Sequence, residues 1–168
     1  MYRIITVCTG NICRSPMAAY LIRRAAAEAG LDGVVVDSAG ISDEERGNPV
    51  DPRARAVLLR EGIDPSEHSA RPFEPAELAD ADLVLALDVD HERALKRMAA
   101  DGRQAGKVRL LREFDPAAAH REHEDLGIYD PWYGDAGDFE ATYAMIRDAV
   151  PGVIEHAAQQ SGSRSGTA

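Results

Sequence analysis

The chain has 168 residues, enough for one domain that buries a sizeable core without metal or disulfide staples. Hydrophobic residues make up 45% and charged residues 29%, an ordinary globular composition. With 19 Lys and Arg against 29 Asp and Glu, the net charge is -10, which argues against nucleic acid or an anionic membrane as partner while leaving room for a small basic pocket.

No apolar run approaches the ~20 residues of a membrane span. The opening MYRIITVCTGNICRS lacks the basic region, long apolar stretch and cleavage site of a signal peptide. Two cysteines make neither a disulfide framework nor a four-thiolate zinc site. The expectation is a soluble, cytoplasmic protein with reduced thiols, no metal and no cofactor.

The first element is a buried strand over residues 2–7, YRIITV, rich in β-branched residues. A loop follows from Cys8, and from Arg14 onward Met17, Ala18, Leu21, Ile22 and Ala25 recur at helical spacing, up to Gly30. Ser15 and Pro16 suit a helix start, Ser as cap and Pro in the first turn. Residues 34–36 form a second strand, closed by Asp37, Ser38, Ala39 and Gly40, and a polar loop covers residues 42–51. Helices are expected over 52–61, 75–80 and 89–100, with strands over 82–87 and 108–111. The polar stretch 115–138 is too long for a plain connection, so a function is expected there. A last helix begins near Asp138 and reaches about Gln160, kinked or broken by Pro151. The division is a domain over 1–160 and a small, polar, disordered tail over 161–168. Strands alternating with helices mean a parallel sheet covered on both faces, an α/β fold that binds ligands at the carboxyl ends of its strands.

The loop closing the first strand reads Cys8, Thr9, Gly10, Asn11, Ile12, Cys13, Arg14, Ser15. A short loop that curls back points successive N–H groups at one spot, a nest for an anion, and the next helix adds its positive end. Arg14 supplies a planar fork for two phosphate oxygens. Cys8 then lies beneath the anion, where positive partial charge favours the thiolate, poised to attack phosphorus. Gly10 and Asn11 fit because both tolerate positive φ. A nucleotide-binding loop would end Gly-Lys-Ser/Thr, and a dinucleotide turn would need more glycines.

The run CTGNICRSPMA resembles the low-molecular-weight protein tyrosine phosphatases. The likeness continues through Asp37-Ser38-Ala39-Gly40, through Gly47, Pro49, Asp51, Arg53 and Ala54, through His68, and through Asp130-Pro131-Trp132-Tyr133-Gly134. It implies a four-stranded parallel sheet and metal-independent hydrolysis of protein phosphotyrosine through a phosphocysteine, releasing inorganic phosphate. By position it makes Cys8 the nucleophile, Arg14 the clamp and Asp130 the general acid.

Expelling a phenolate is easier when a proton arrives with it, and one carboxyl can act first as acid, then as base. Asp130, stiffened by Pro131 and flanked by aromatics, suits this; Asp125, Asp135 and Asp138 are nearby rivals. Asn11, Ser15, Ser38 and His68 match family positions that hydrogen-bond around the loop, and Ser15 could also donate to the sulfur. Trp132 and Tyr133, adjacent aromatics in a polar loop, suit a rim for a phenyl ring. On the opposite rim, where the family often places an aromatic, this chain has Asp43, Glu44, Glu45 and Arg46. The resemblance also makes Cys13 the partner of Cys8 in a reversible disulfide. Three other readings compete with this one. Arsenate reduction by thiol relay needs a distant cysteine pair, absent here. A protein-arginine phosphatase typically carries Thr at Ile12. A phosphopeptide-binding module would lack the nucleophile or the acid.

Overall fold

The structure is a computed structural model describing residues 1–165. Four strands, β1 (Tyr2–Cys8), β2 (Val34–Gly40), β3 (Leu83–Ala86) and β4 (Val108–Leu110), form one parallel sheet in the order β2-β1-β3-β4. Helices α1 (Arg14–Glu28), α2 (Pro52–Arg60), α3 (Glu77–Asp80), α4 (Val89–Met98), α5 (Gly102–Ala105) and α6 (Ala136–Ser165) complete it.

Side chains alternate across a strand, so neighbours in sequence serve opposite cores. Ile4 and Leu85 pack with Met17, Ile22, Leu58, Phe139 and Ile146, under α1, α2 and α6. Ile5 and Val84 pack with Leu78 and Leu95, under α3 and α4. The first connection runs from β1 to one side, the later ones from β3 to the other, so the strand order reverses between β1 and β3. In open α/β sheets a ligand crevice opens at that point, beyond the carboxyl ends of the strands, and here the first loop, residues 9–13, lies there.

Several expectations shift. Strand β2 continues through Gly40, since Asp37, Ser38, Ala39 and Gly40 all pair with β1. Ser15 does not cap α1: Cys13 holds that position without a side-chain bond, and Ser15 is buried inside the first turn. Helix α5 and three short 3₁₀ turns, at Leu111–Phe114, Pro116–Ala118 and His123–Asp125, add to the expected elements. Helix α6 is continuous through Pro151. Next to it, Gly152 packs on the Leu111–Phe114 turn, where an added Cβ would run into the Phe114 carbonyl oxygen. The helix also passes Gln160 and runs to Ser165, because each further residue adds one bond to a helix already nucleated. Of the tail expected to be disordered, residues 161–165 are therefore helical, and residues 166–168 lie outside the described residues.

Candidate active site

Strand β1 delivers Cys8 to the end of the sheet, and the chain then turns through Asn11 at φ 59°. That is the left-handed region, which Asn enters more readily than most residues. Among the described residues, the backbone N–H groups of Gly10, Asn11, Ile12 and Cys13 bond to no protein group and are left for a ligand. The turn is held from inside. Asn11 Nδ2 donates to Ser15 Oγ and Ser38 Oγ, both at 2.9 Å, and Asn11 Oδ1 accepts from the Arg71 N–H at 3.0 Å. His68 Nε2 lies 2.7 Å from the Asn11 carbonyl oxygen; a carbonyl only accepts, so this nitrogen carries the proton. Burial pushes the His68 imidazole below its ordinary value.

Gly40 makes the closeness possible. A Cβ there would sit 2.6 Å from the Thr9 carbonyl oxygen and 3.1 Å from the Asn11 nitrogen. The backbone leaving β2 binds the loop again, Ile41 N–H to the Cys8 carbonyl and Ser42 N–H to the Thr9 carbonyl.

Cys8 Sγ lies 3.0 Å from Ser15 Oγ, and the same hydroxyl is 3.2 Å from the Ala39 carbonyl oxygen. Arg14, only 3% exposed, extends along the cleft wall. Its Nη1 donates to Asp88 Oδ2 at 2.9 Å and to the Ile128 carbonyl at 3.0 Å, and its Nη2 donates to Asp130 Oδ2 at 2.9 Å. The Asp130 carboxyl also accepts the Trp132 N–H, at 3.2 Å.

These groups border a cleft of about 290 Å³ lined by Cys8, Gly10, Arg14, Asp130, Trp132 and Tyr133, with Thr9, Ile12, Cys13, Ser42, Glu44 and Glu45 also contributing. Of the four candidate acids, Asp130 alone is in that lining. Asp135 and Asp138 exchange bonds with each other's backbone at the start of α6, and Asp125 ends a 3₁₀ turn. Trp132 and Tyr133 share the cleft lining with Glu44 and Glu45, so the acidic segment does reach the cleft. Cys13 is buried yet contributes to the cleft lining; burial and the neighbouring Cys8 push its thiol well up.

Three supports escape the sequence reading. Asp88, just past β3, caps α4 through the His91 N–H and holds Arg14. His91 Nε2 lies 2.8 Å from Thr9 Oγ1, while its Nδ1 is 3.1 Å from Asp88 Oδ1 without the alignment of a hydrogen bond. Burial pushes this imidazole down to about 4, so it is neutral at pH 7. Arg71 completes the set through its backbone bond to Asn11. The switch-point rule could have pointed to Asp88, because the loops after adjacent parallel strands converge.

One trio of metal-ligand type exists among the described residues, Glu92, Glu113 and His123, with ligand atoms within 4.8 Å of one another. Each acid is already engaged, Glu92 by Lys96 and His123, Glu113 by Arg109 and the Leu110 N–H, and none lines the cleft.

A parallel sheet presenting a cysteine and an arginine on an anion nest at its switch point describes a class of phosphate-handling proteins. Comparison with known proteins narrows it. The family described as low molecular weight phosphotyrosine protein phosphatase matches residues 3–162. A low molecular weight protein-tyrosine-phosphatase of Streptomyces coelicolor is 44% identical over 165 residues, covering 98% of each chain. The low molecular weight protein-tyrosine phosphatase A of Mycobacterium tuberculosis is 43% identical over 148 residues, 88% of this chain and 86% of that one. Among solved structures, YfkJ of Bacillus subtilis superposes with a TM-score of 0.83 at 30% identity, over 95% of this chain and 96% of its own. The chain belongs to the low molecular weight phosphotyrosine protein phosphatase family.

Proposed function

We propose that the protein hydrolyses phosphotyrosine in proteins or peptides through a phosphocysteine at Cys8. The observation that carries this reading is the convergence of Cys8, Arg14 and Asp130 on one cleft, with Ser15 Oγ 3.0 Å from the sulfur. The phosphate sits over the N–H groups of residues 10–13 and takes the Arg14 fork. The Cys8 thiolate attacks phosphorus in line with the ester oxygen. Asp130 gives its proton to the departing phenol oxygen. As a carboxylate, Asp130 then takes a proton from the water that attacks the phosphocysteine, and sulfur leaves as a thiolate. The Ser15 hydroxyl supports that charge by turning its hydrogen toward Sγ. Inorganic phosphate is released, and every proton is accounted for by the chain's own groups and water.

Asn11, Ser38 and His68 act as supports of a turn that its one left-handed non-glycine residue would otherwise leave strained. Thr9, Gly10, Ile12 and Cys13 supply the remaining curve of the loop. Trp132 and Tyr133 flank the substrate ring. The substrate partners are therefore tyrosine-phosphorylated proteins, and the acidic residues Glu44 and Glu45 favour neutral or basic flanks around the phosphotyrosine. Under peroxide, Cys8 becomes a sulfenic acid, and the Cys13 thiol condenses with it to give a disulfide and water. A cytoplasmic location is part of the same proposal. Among the described residues no helix is long and apolar enough to cross a membrane.

The test is a phosphatase assay with a chelator present, on matched phosphotyrosine, phosphoserine and phosphoarginine peptides. Phosphotyrosine is expected to be fastest. Phosphoarginine ahead of it would overturn the substrate while keeping the cysteine mechanism, and no turnover on any would overturn both.

A further inference from the structure

Asp130 and the aromatic residues after it are exposed, and among the side chains that hold this segment from outside, Arg53 grips its main chain at two points. Arg53 sits in the first turn of α2, and its Nη1 donates to the Trp132 carbonyl at 3.2 Å and to the Gly134 carbonyl at 3.3 Å. The guanidinium is fixed from behind: Nε reaches Asp51 Oδ1 at 3.1 Å and Nη2 reaches Asp51 Oδ2 at 3.0 Å, a two-pronged pair. Its Cζ lies over two rings, 4.5 Å from the Phe139 ring centre and 5.8 Å from that of Trp132. Burial alone would raise the Asp51 carboxyl, but the bonds from Arg53 outweigh it and hold the carboxyl below its ordinary value. Asp51 is tied in turn to the phosphate loop, its N–H donating to the Ile12 carbonyl at 2.7 Å.

We propose that Arg53 is a positioning residue for the proton-donating step: with Asp51 it links the phosphate loop to the acid-bearing loop and sets where the Asp130 carboxyl stands relative to Cys8. This rests on the phosphatase reading above. The reason is geometric. Asp130 is oriented by the N–H of Trp132, and the carbonyl of that same residue is held by Arg53, so the main chain at Trp132 is gripped on both sides. The other hold on Asp130 is its ion pair with Arg14 Nη2. A phosphate that takes the Arg14 fork competes for that donor, whereas the Arg53 grip does not depend on it. Arg53 therefore keeps the acid in register at the moment the proton is needed. Lysine could not do the same work, since one ammonium cannot span Asp51, two carbonyls and two rings as a planar fork does.

The experiment compares Arg53→Ala and Arg53→Lys with the wild type on two esters, phenyl phosphate, whose leaving group needs a proton, and 2,4-dinitrophenyl phosphate, whose leaving group does not. Inhibition by inorganic phosphate serves as the check on the phosphate loop. A misplaced acid should cost Arg53→Ala about 10–100-fold in kcat on phenyl phosphate, and less than about threefold on the dinitrophenyl ester. Phosphate inhibition should stay within about twofold of wild type, as a displaced acid leaves the anion nest intact. Arg53→Lys should show the same split, which keeps the test open if the alanine variant folds poorly. Adding Asp130→Ala to either variant should cost no more on phenyl phosphate than Asp130→Ala alone. Equal losses on both esters with weakened phosphate inhibition, or fully additive losses in the double variant, would overturn the proposal. Should Asp130→Ala itself treat the two esters alike, the acid assignment fails first and this inference with it.

Discussion

The two loops that make the cleft are built in opposite ways. Residues 8–15 are buried almost throughout, with Asn11 and Ser15 at 0% exposure, and are braced by Ser38, His68, Arg71, His91 and the backbone leaving β2. In residues 129–134, Tyr129, Asp130, Trp132 and Tyr133 stand in solvent, Tyr133 at 96% exposure, and the segment is held by Arg14, Arg53 and a bond from Thr142 to the Tyr129 carbonyl. On the function proposed above, the difference follows from the two tasks. An anion nest works only if its dipoles are fixed before the charge arrives, since reorganising them during the reaction would cost the stabilisation they provide. A proton donor must admit the substrate, meet its leaving oxygen and then meet a water, so it belongs on a segment that the substrate can reach past.

The sharpest way to break this comparison is at the base of the inner loop. Cys8→Ser is expected to abolish turnover on every ester while phosphate or vanadate still binds, because the nest remains. Appreciable turnover in that variant would remove the covalent step. At the outer loop the loss should depend on the substrate. Asp130→Ala is expected to lower kcat by about 10²–10³ on phenyl phosphate, within the usual range for general acids, and far less on the dinitrophenyl ester. A uniform loss would mean that the outer loop serves structure and not proton transfer. Trp132→Ala tests the rim: kcat/KM for aryl phosphates should fall by about two- to twelvefold, the value of an aromatic contact of ~0.5–1.5 kcal/mol, with small alkyl phosphates unaffected. Equal falls on both would place Trp132 in the support of the loop.

The smallest effect concerns pH and belongs to the inner loop. Burial lowers the His91 imidazole from the ordinary 6.5 to about 4, and lowers His68 as well. As the pH drops below 6.5, the unfolded chain takes up protons that the folded chain refuses. The contribution is complete above about 6.5 and is lost progressively down to about 4. Melting temperatures measured between pH 7 and pH 4 should therefore fall, and His91→Gln should flatten part of that slope. An unchanged slope in the variant would show that His91 is protonated in the folded state.

The same contrast explains how far the amino-acid sequence reveals the molecule. The inner loop is legible because its chemistry is contiguous: Cys8 and Arg14 lie six residues apart between a β-branched strand and a periodic helix, and local sequence dictates such a turn. The parallel sheet follows from the alternation of elements. Ser38 and His68 are legible only through the family resemblance, and the remaining supports are not legible, because each is a contact across the fold. Asp88 is 74 residues from Arg14, His91 is 82 from Thr9, and Arg53 is 79 from Trp132. Ser15 shows the limit differently. Its place before Pro16 resembles a helix cap, but tertiary packing turns the hydroxyl inward to Cys8 and Asn11.

That hydroxyl has one hydrogen and two acceptors in reach, the sulfur at 3.0 Å and the Ala39 carbonyl oxygen at 3.2 Å. When Cys8 is a thiol, its S–H can donate to Ser15 Oγ and leave the hydroxyl hydrogen for Ala39. When Cys8 is a thiolate, the hydrogen belongs to the sulfur and the carbonyl loses that bond. The charge on the nucleophile is thus copied onto a peptide group in the next strand. A carbon-13 label at the Ala39 carbonyl would act as a built-in spectroscopic gauge, recording ionisation, oxidation or alkylation of Cys8 without a substrate and without altering a single residue of the cleft.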